Sequence, residues 1–333
     1  MIVSFIVPSY NSEKTIENNI KSIVSQKCKK EIIVVDGGSI DKTISILKKY
    51  KLKIFLEKKR GAGPARNLGM NKSKGDYIAF VDSDVVLPDN WIEKCIKKIN
   101  QNKSIAGVGG PGISIDKSIV SKCLNGLLYG KSKKSKDTYV NSLATMDVLY
   151  RKSHIRGMLF DNKMIMGEDP EFNFRLVKNG YKLLFSRSLF VYHNHPTKLI
   201  ALVKKWYEYG NYYMKPYIKH KEMIEKEFYF RVFYIPLLLL MGILSFINQI
   251  FIYLVVIQLL SLFLSYLFIG IVNLRDKTLI AFPFIHTIKQ LSQMVGIFVS
   301  VLRGIINGKY VRNNRFQFRG FQTDKKDDGP AKA

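Results

Sequence analysis

Two pairs of carboxylates in this chain have the residue types and spacing to do chemistry. In FVDSDVVL, Asp82 and Asp84 alternate at the end of an apolar run that reads as a buried strand, where apolar residues would cost less. Carboxylate oxygens are hard ligands, suited to Mg²⁺ or Mn²⁺ shared with substrate phosphates. A cation there would bridge a diphosphate and neutralise its charge as it departs. Taken alone, the same triplet also reads as a polar turn with one aspartate capping a helix. The second pair is Glu168-Asp169 in MGEDPEF. Adjacent carboxylates push one pKa of the pair upward, which suits that group to proton abstraction. Asp169-Pro170-Glu171 reads equally as N-cap, N1 proline and first-turn acid of a helix running to Asn179 with Gly180 as its cap, and the two roles are compatible. A displacement that expels a diphosphate needs one carboxylate base for the attacking hydroxyl and a separate metal or cationic clamp for the leaving group. The two pairs offer that division.

The elements that must position them follow from periodicity. Ile2–Val7, Glu31–Val35, Lys53–Leu56 and Tyr77–Val81 read as strands. Between and after them, Ser12–Gln26, a stretch capped by Asp41, Pro64–Ser73 and Pro88–Ile99 read as helices. This order implies a parallel sheet with helices on both faces, and ligands in such sheets bind at the carboxyl ends of the strands. The polar signals Pro8–Asn11, Asp36–Asp41 and Asp82–Asp84 fall there. No GxGxxG follows the first strand and no Walker A sequence exists. The GVGGPG run from Gly107 to Gly112 reads as a strand-end loop, since Pro111 interrupts it. Lys131–Lys136 has the charge to grip a phosphorylated acceptor but reads first as a solvated loop. Arg151 and Arg175 read as structural salt-bridge partners.

With these motifs in order along the chain, the sequence resembles the family 2 glycosyltransferases. The resemblance is carried by FIVPSYN, IIVVDGGSIDKT, ARNLG, FVDSDV, LYRKS…FD, MGEDPEFNFRL, VYHNHP and KKWYEYG, from about Ile2 to Gly210. It implies the GT-A nucleotide-diphospho-sugar transferase fold, a Rossmann-like, mostly parallel α/β sheet, and inverting transfer of a sugar from a nucleotide donor with Mg or Mn. It implies that Pro8, Tyr10 and Asn11 line the nucleotide pocket, that Asp36 contacts base or ribose and that Arg66 faces the nucleotide or phosphates. Asp82 would approach ribose and diphosphate, Asp84 the metal and Asp169, beside Glu168, the acceptor hydroxyl as general base. His193 matches a histidine near the diphosphate or metal. Two departures stand out. Gly37 replaces the second of two aspartates common after the second strand, and Lys204-Lys205-Trp206 is the nearest approach to the QxxRW signature of processive polymer synthases.

The C-terminal third differs in kind. Phe228–Ile247 contains one charge, Arg231, and Ile250–Leu274 contains none. About twenty apolar residues cross a bilayer core of roughly 30 Å. Lys219, Lys221 and Lys226 precede the pair and Arg275 and Lys277 follow it, which predicts a two-span hairpin with both ends, and the catalytic domain, cytoplasmic. Phe284, Ile288, Leu291, Val295, Phe298, Leu302 and Ile305 form one apolar stripe, which predicts a helix lying on the membrane surface. Thr197–Lys221 mixes lysines with Trp206 and five tyrosines, as at a membrane interface.

The expected organisation is a catalytic domain over 1–196, an interfacial helix over 197–227, a membrane hairpin over 228–274, a basic surface segment over 275–322 and a disordered tail over 323–333. In 333 residues, 53 Lys and Arg against 26 Asp and Glu give a net charge of +27, which favours nucleotides, anionic lipid or nucleic acid as partners. No nucleic-acid motif is present. The three cysteines fit neither a disulfide framework nor a zinc site, and MIVSFIVPSY reads as a first strand, not a signal peptide. The reading is a membrane-anchored enzyme moving a sugar from a nucleotide donor, UDP-linked first and GDP-linked next, to a polyprenyl-phosphate or lipid-linked glycan. A metal-dependent nucleotidyltransferase and a non-enzymatic protein binding anionic lipid are the alternatives.

Overall fold

The computed structural model describes residues 1–59, 61–129, 137–273 and 278–306. Lys131–Lys136, Arg275, Lys277 and the tail expected to be disordered lie outside the described residues. The first half alternates as its apolar runs dictate: β1 Val3–Ser9, α1 Ile16–Val24, β2 Lys30–Asp36, α2 Thr43–Leu47, β3 Lys53–Leu56, α3 Ala62–Lys72, β4 Tyr77–Val81, β5 Val85–Val86 and α4 Trp91–Ile99. It continues through β6 Ile105–Gly109, β7 Gly112–Ile113, α5 Ile119–Tyr129, β8 Thr138–Val140, β9 Asp147–Arg151 and α6 Lys152–Ile155. Then come α7 Glu168–Lys178, β10 Lys182–Phe185, β11 Val191–His193, α8 Leu199–Lys219, α9 Lys226–Leu244, α10 Ile250–Asn273 and α11 Thr278–Ile306.

Eight strands form one sheet in the order β3-β2-β1-β4-β9-β6-β10-β8, and β5-β11-β7 form a small second sheet. The large sheet is parallel except where β9 runs against β4 and β6, and β8 against β10. Central strands β1 and β4 are apolar on both faces because helices cover both, and Phe5, Ile6, Ile78 and Phe80 are almost wholly buried. Helix α3 comes close to β1 at Gly69, where any Cβ would collide with Ile6. The glycine-rich run is the end of β6, the link Gly110-Pro111 and the first residue of β7, and a Cβ at Gly107 would meet the Tyr150 ring at 2.7 Å. Arg175 pairs with Glu171 as expected of a structural arginine. Arg151 instead bonds Tyr77, Asn100 and the Ile99 carbonyl, since no carboxylate is within its reach among the described residues.

Helix α8 joins the sheet domain to the apolar helices. At one end the buried Glu171 of α7 receives Lys219 at 2.8 Å and His220 at 2.9 Å. In the middle, Gly210 of α8 meets Gly296 of α11 backbone to backbone, and a Cβ on either would collide with the other helix. Three helical stretches, Lys226–Leu244, Ile250–Ile271 and Ile280–Gly304, are long and apolar enough to cross a membrane, where the sequence pattern assigned two to span and the third to the surface. Leu239, Ile243, Phe246, Ile257 and Phe268 are exposed on α9, α10 and their connection. So much bare apolar surface marks membrane association. Helix α11 buries Phe282, Ile285, His286, Met294 and Ile297, while Phe284, Val295 and Leu302 of the expected stripe point outward.

Candidate active site

The ends of β1, β2 and β4 carry the three polar loops. Asp36 closes β2, and its carboxylate accepts from the Gly38 amide at 2.9 Å, the Ser39 amide at 2.7 Å and the Ser39 hydroxyl at 2.6 Å. The loop after β1 locks onto it: the Asn11 amide donates to Ser39 Oγ and Asn11 Oδ1 accepts from Ile40, both at 2.9 Å. Asn11 adopts φ 47°, a left-handed conformation that asparagine tolerates. Pro8 lies within β1, while the Tyr10 ring is exposed beside Gly37, where an added Cβ would press on it at 3.3 Å. Ser12 and Ser83 share a 2.8 Å hydroxyl bond that fastens this loop to the aspartate turn.

Arg66, on α3 and almost fully buried, organises the carboxylates. Its Nη2 donates to Asp82 at 2.9 Å and its Nη1 to Glu168 at 2.9 Å and Asp169 at 3.4 Å. The guanidinium therefore joins the end of β4 to the start of α7. The burial that raises the Asp82 carboxyl above its ordinary range outweighs Arg66, with Asp84 and Asp169 adding to the rise. Burial and the charge of Asp169 also raise Glu168, against the pull of Arg66. Asp169 does not cap α7, whose N-cap is Gly167 at φ 86°. Because α7 begins two residues earlier than the proline pattern suggested, Asp169 lies inside its first turn, and its oxygens accept from the Thr145 amide at 3.0 Å and hydroxyl at 2.7 Å. Gly180, at φ 84°, follows the helix as expected.

Asp84 faces the other way. Antiparallel pairing places Val85 of β5 opposite His193 of β11, which brings His193 Nε2 within 3.3 Å of Asp84 Oδ2. Burial opposes ionisation of Asp84, but the hydrogen bond and charge of His193 and the charge of Lys205 bring its pKa below the ordinary range. His193 Nδ1 and His195 Nε2 are buried without partners among the described residues. One carboxylate and one imidazole suit a divalent cation that keeps most of its positions for phosphate oxygens. No cluster of three His, Cys, Asp or Glu exists among the described residues to make a closed all-protein cage.

Three contributors escaped the sequence reading. Lys205 and Tyr209, four apart on α8, sit beside the carboxylates. The charges of Asp84 and Asp82 reach Lys205, whose pKa burial nonetheless lowers, and those of Asp169, Asp82, Glu168 and Asp84 reach the Tyr209 hydroxyl. Their i, i+4 spacing next to a lysine-tryptophan pair was the available signal. The third, Asp147 at the start of β9, is wholly buried, and burial with the nearby charge of Asp82 pushes its carboxyl well above the ordinary range.

The family model for glycosyl transferase family 2 matches residues 4–158. An uncharacterized glycosyltransferase of Methanocaldococcus jannaschii is 28% identical over 251 residues, 71% of this chain and 86% of the relative. The dolichyl N-acetyl-alpha-D-glucosaminyl phosphate 3-beta-D-2,3-diacetamido-2,3-dideoxy-beta-D-glucuronosyltransferase of Methanococcus voltae is 27% identical over 233 residues, 62% of this chain and 71% of its own. Among solved structures, a mannosyltransferase from Pyrobaculum calidifontis in complex with GDP-Man and Mn²⁺ superposes with a TM-score of 0.61 at 14% identity, covering 90% of this chain and 87% of that one.

Proposed function

We propose that this chain, which the family 2 glycosyltransferase model matches over residues 4–158 and which has a GT-A-like fold, is a family 2 glycosyltransferase that transfers a sugar, with inversion, from a nucleoside-diphosphate donor to a membrane-associated, lipid-linked acceptor. The observation that carries the reading is the single buried guanidinium of Arg66, which holds Asp82 on the donor side and Asp169 on the acceptor side of one centre. Tyr10, Pro8 and Asn11 with Asp36 form the wall for the nucleoside. Asp82 approaches ribose and diphosphate. Arg66, whose amino groups are held by carboxylates, serves the phosphates through the charge it lends this centre. Asp84 and His193 would hold a divalent cation, Mg²⁺ or Mn²⁺, which when bound neutralises charge on the diphosphate. Lys205, within electrostatic reach of Asp84 and Asp82, adds an ammonium to the same side of the site. Asp169, oriented by Thr145, takes the proton of the acceptor hydroxyl. Glu168, raised by burial and by the charge of Asp169, keeps its own proton more readily than a free carboxyl.

The acceptor follows from architecture. Residues 1–196 act as the catalytic domain, α8 lies at the interface, α9 and α10 form a hairpin with both ends cytoplasmic, and α11 rests on the surface with its exposed stripe toward lipid. The relative named for action on a dolichyl-linked sugar phosphate supports a lipid-linked acceptor. The test is thermal stability of the purified chain with UDP, GDP, CMP or dTDP, with and without Mn²⁺, for wild type and Asp84→Ala. Ligand at about 100 times Kd stabilises by about 2.7 kcal/mol. Selective stabilisation that needs both metal and Asp84 supports the donor site. A folded sample that no nucleotide stabilises overturns it.

A further inference from the structure

Two cations outside the catalytic centre have no anionic partner among the described residues. Lys289 of α11 holds its ammonium 4.1 Å from the centroid of the Trp206 ring, and Arg231, near the start of α9, lies 5.5 Å over Tyr213. Both are half-buried, and among the described residues neither has a carboxylate or a hydrogen-bond acceptor. Arg231 is close enough for its charge to act on Lys289 and on Tyr266 of α10. Aromatic faces compensate a cation in part. They do not offset the repulsion of two like charges withdrawn from water, which an anion set between them would turn into attraction.

The position of the pair identifies the anion. Trp206, which carries Lys289, lies 5.2 Å ring to ring from Tyr209, and Tyr209 is within electrostatic reach of all four active-site carboxylates. Arg231 itself belongs to α9, next to the exposed Phe230, and the apolar side chains of α9 and α10 are exposed along both helices. A ligand that bridges these surroundings has an apolar tail, a phosphate and a hydroxyl-bearing head. We propose that Lys289 and Arg231 together seat the phosphate of a lipid-linked acceptor, so that its hydroxyl is presented to Asp169. Arginine supplies a planar fork and lysine a point charge, a combination suited to phosphate oxygens. The inference rests on the lipid-linked acceptor reading above and assigns its anchoring site.

The experiment measures binding of farnesyl phosphate, farnesol and inorganic phosphate to the full chain in detergent, for wild type, Lys289→Gln, Arg231→Gln and Lys289→Arg. Farnesyl phosphate is expected to bind at least about tenfold more tightly than farnesol, and each glutamine variant to lose about tenfold for farnesyl phosphate alone. Lys289→Arg should retain most of the affinity. The stabilisation by nucleotide should be the same in all four proteins, which establishes that the variants are folded and keeps the donor reading separate. The proposal is overturned if folded glutamine variants bind farnesyl phosphate as wild type does. It is overturned equally if inorganic phosphate competes as strongly as farnesyl phosphate, which makes the site one for free anions, or if phosphatidylglycerol vesicles do, which makes it a general headgroup site. Absence of any nucleotide effect in wild type would count against the donor site, while the phosphate dependence of lipid binding would still decide this one.

Discussion

Arg66 Nη1 donates to Glu168 Oε1 at 2.9 Å, joining two buried side chains 102 positions apart in sequence. Because the same guanidinium also serves Asp82 and Asp169, its removal would leave three carboxylates facing one another. Arg66→Met is therefore expected to destabilise the chain by about 3–5 kcal/mol, measured as a lowered urea midpoint. Arg66→Lys should recover only part of this, since an ammonium cannot span both carboxylate groups as the fork does. A midpoint that does not move in Arg66→Met would show the cluster to be neutralised by other means.

Asp169→Asn separates orientation from proton abstraction. Asparagine keeps a carbonyl oxygen for the Thr145 amide but offers no base. Turnover should fall by about 10²–10⁴, while thermal stability and nucleotide binding change little. Turnover at the wild-type rate would remove Asp169 from the mechanism.

Asp147 supplies a pH signature. Its folded-state pKa is raised by burial, so the folded chain holds a proton there that the unfolded chain releases. The stabilisation this gives is fully present below the unfolded pKa of about 3.9 and is lost as pH rises toward the raised folded value. Asp147→Asn has no such proton to lose. Relative to wild type it should gain stability with increasing pH, by about 1.4 kcal/mol per unit between the two pKa values. Parallel stability curves for the two proteins would show that Asp147 is ionised in the fold.

Gly210→Ala tests the junction with the apolar helices. The new methyl would meet the Gln293 carbonyl and the Gly296 backbone. Forcing the helices apart should cost about 1–3 kcal/mol, seen as a lower melting temperature in detergent. Turnover should fall as well, because Lys205 and Tyr209 ride on the same helix. Wild-type behaviour on both counts would mean that α8 and α11 do not touch at these glycines.

The parallel part of the sheet was legible because β1, β2 and β4 are short apolar runs ending in polar loops. Asp82 and Asp84 were visible as acids at the end of such a run, and Glu168-Asp169 as adjacent acids at a helix start. The antiparallel β9 was not, since DVLYR has the same pattern in either direction and only its partners β4 and β6 decide. The role of α8 was half visible. Its aromatic and basic composition marked an interface, but nothing local shows that Lys205 turns toward Asp84, a residue far away in the chain. In α11 Phe284, Val295 and Leu302 of the apolar stripe are exposed, Ile288 and Leu291 pack against buried side chains, and the opposite face, with His286, Gln293 and Gly296, is the buried one. Small and polar residues at a helix contact leave a weak hydropathy signature.

The Glu171 clasp and the glycine crossing give α8 two fixed attachments, one to α7, whose first turn carries Asp169, and one to the apolar helix α11. If the chain acts on a lipid-linked acceptor as proposed, the height of Asp169 above the bilayer would be a built-in length of the molecule. Such a chain would act as a depth gauge. An acceptor would then be selected partly by how far its hydroxyl stands off from the membrane plane, and a head group one sugar longer or shorter would be out of register even with identical chemistry.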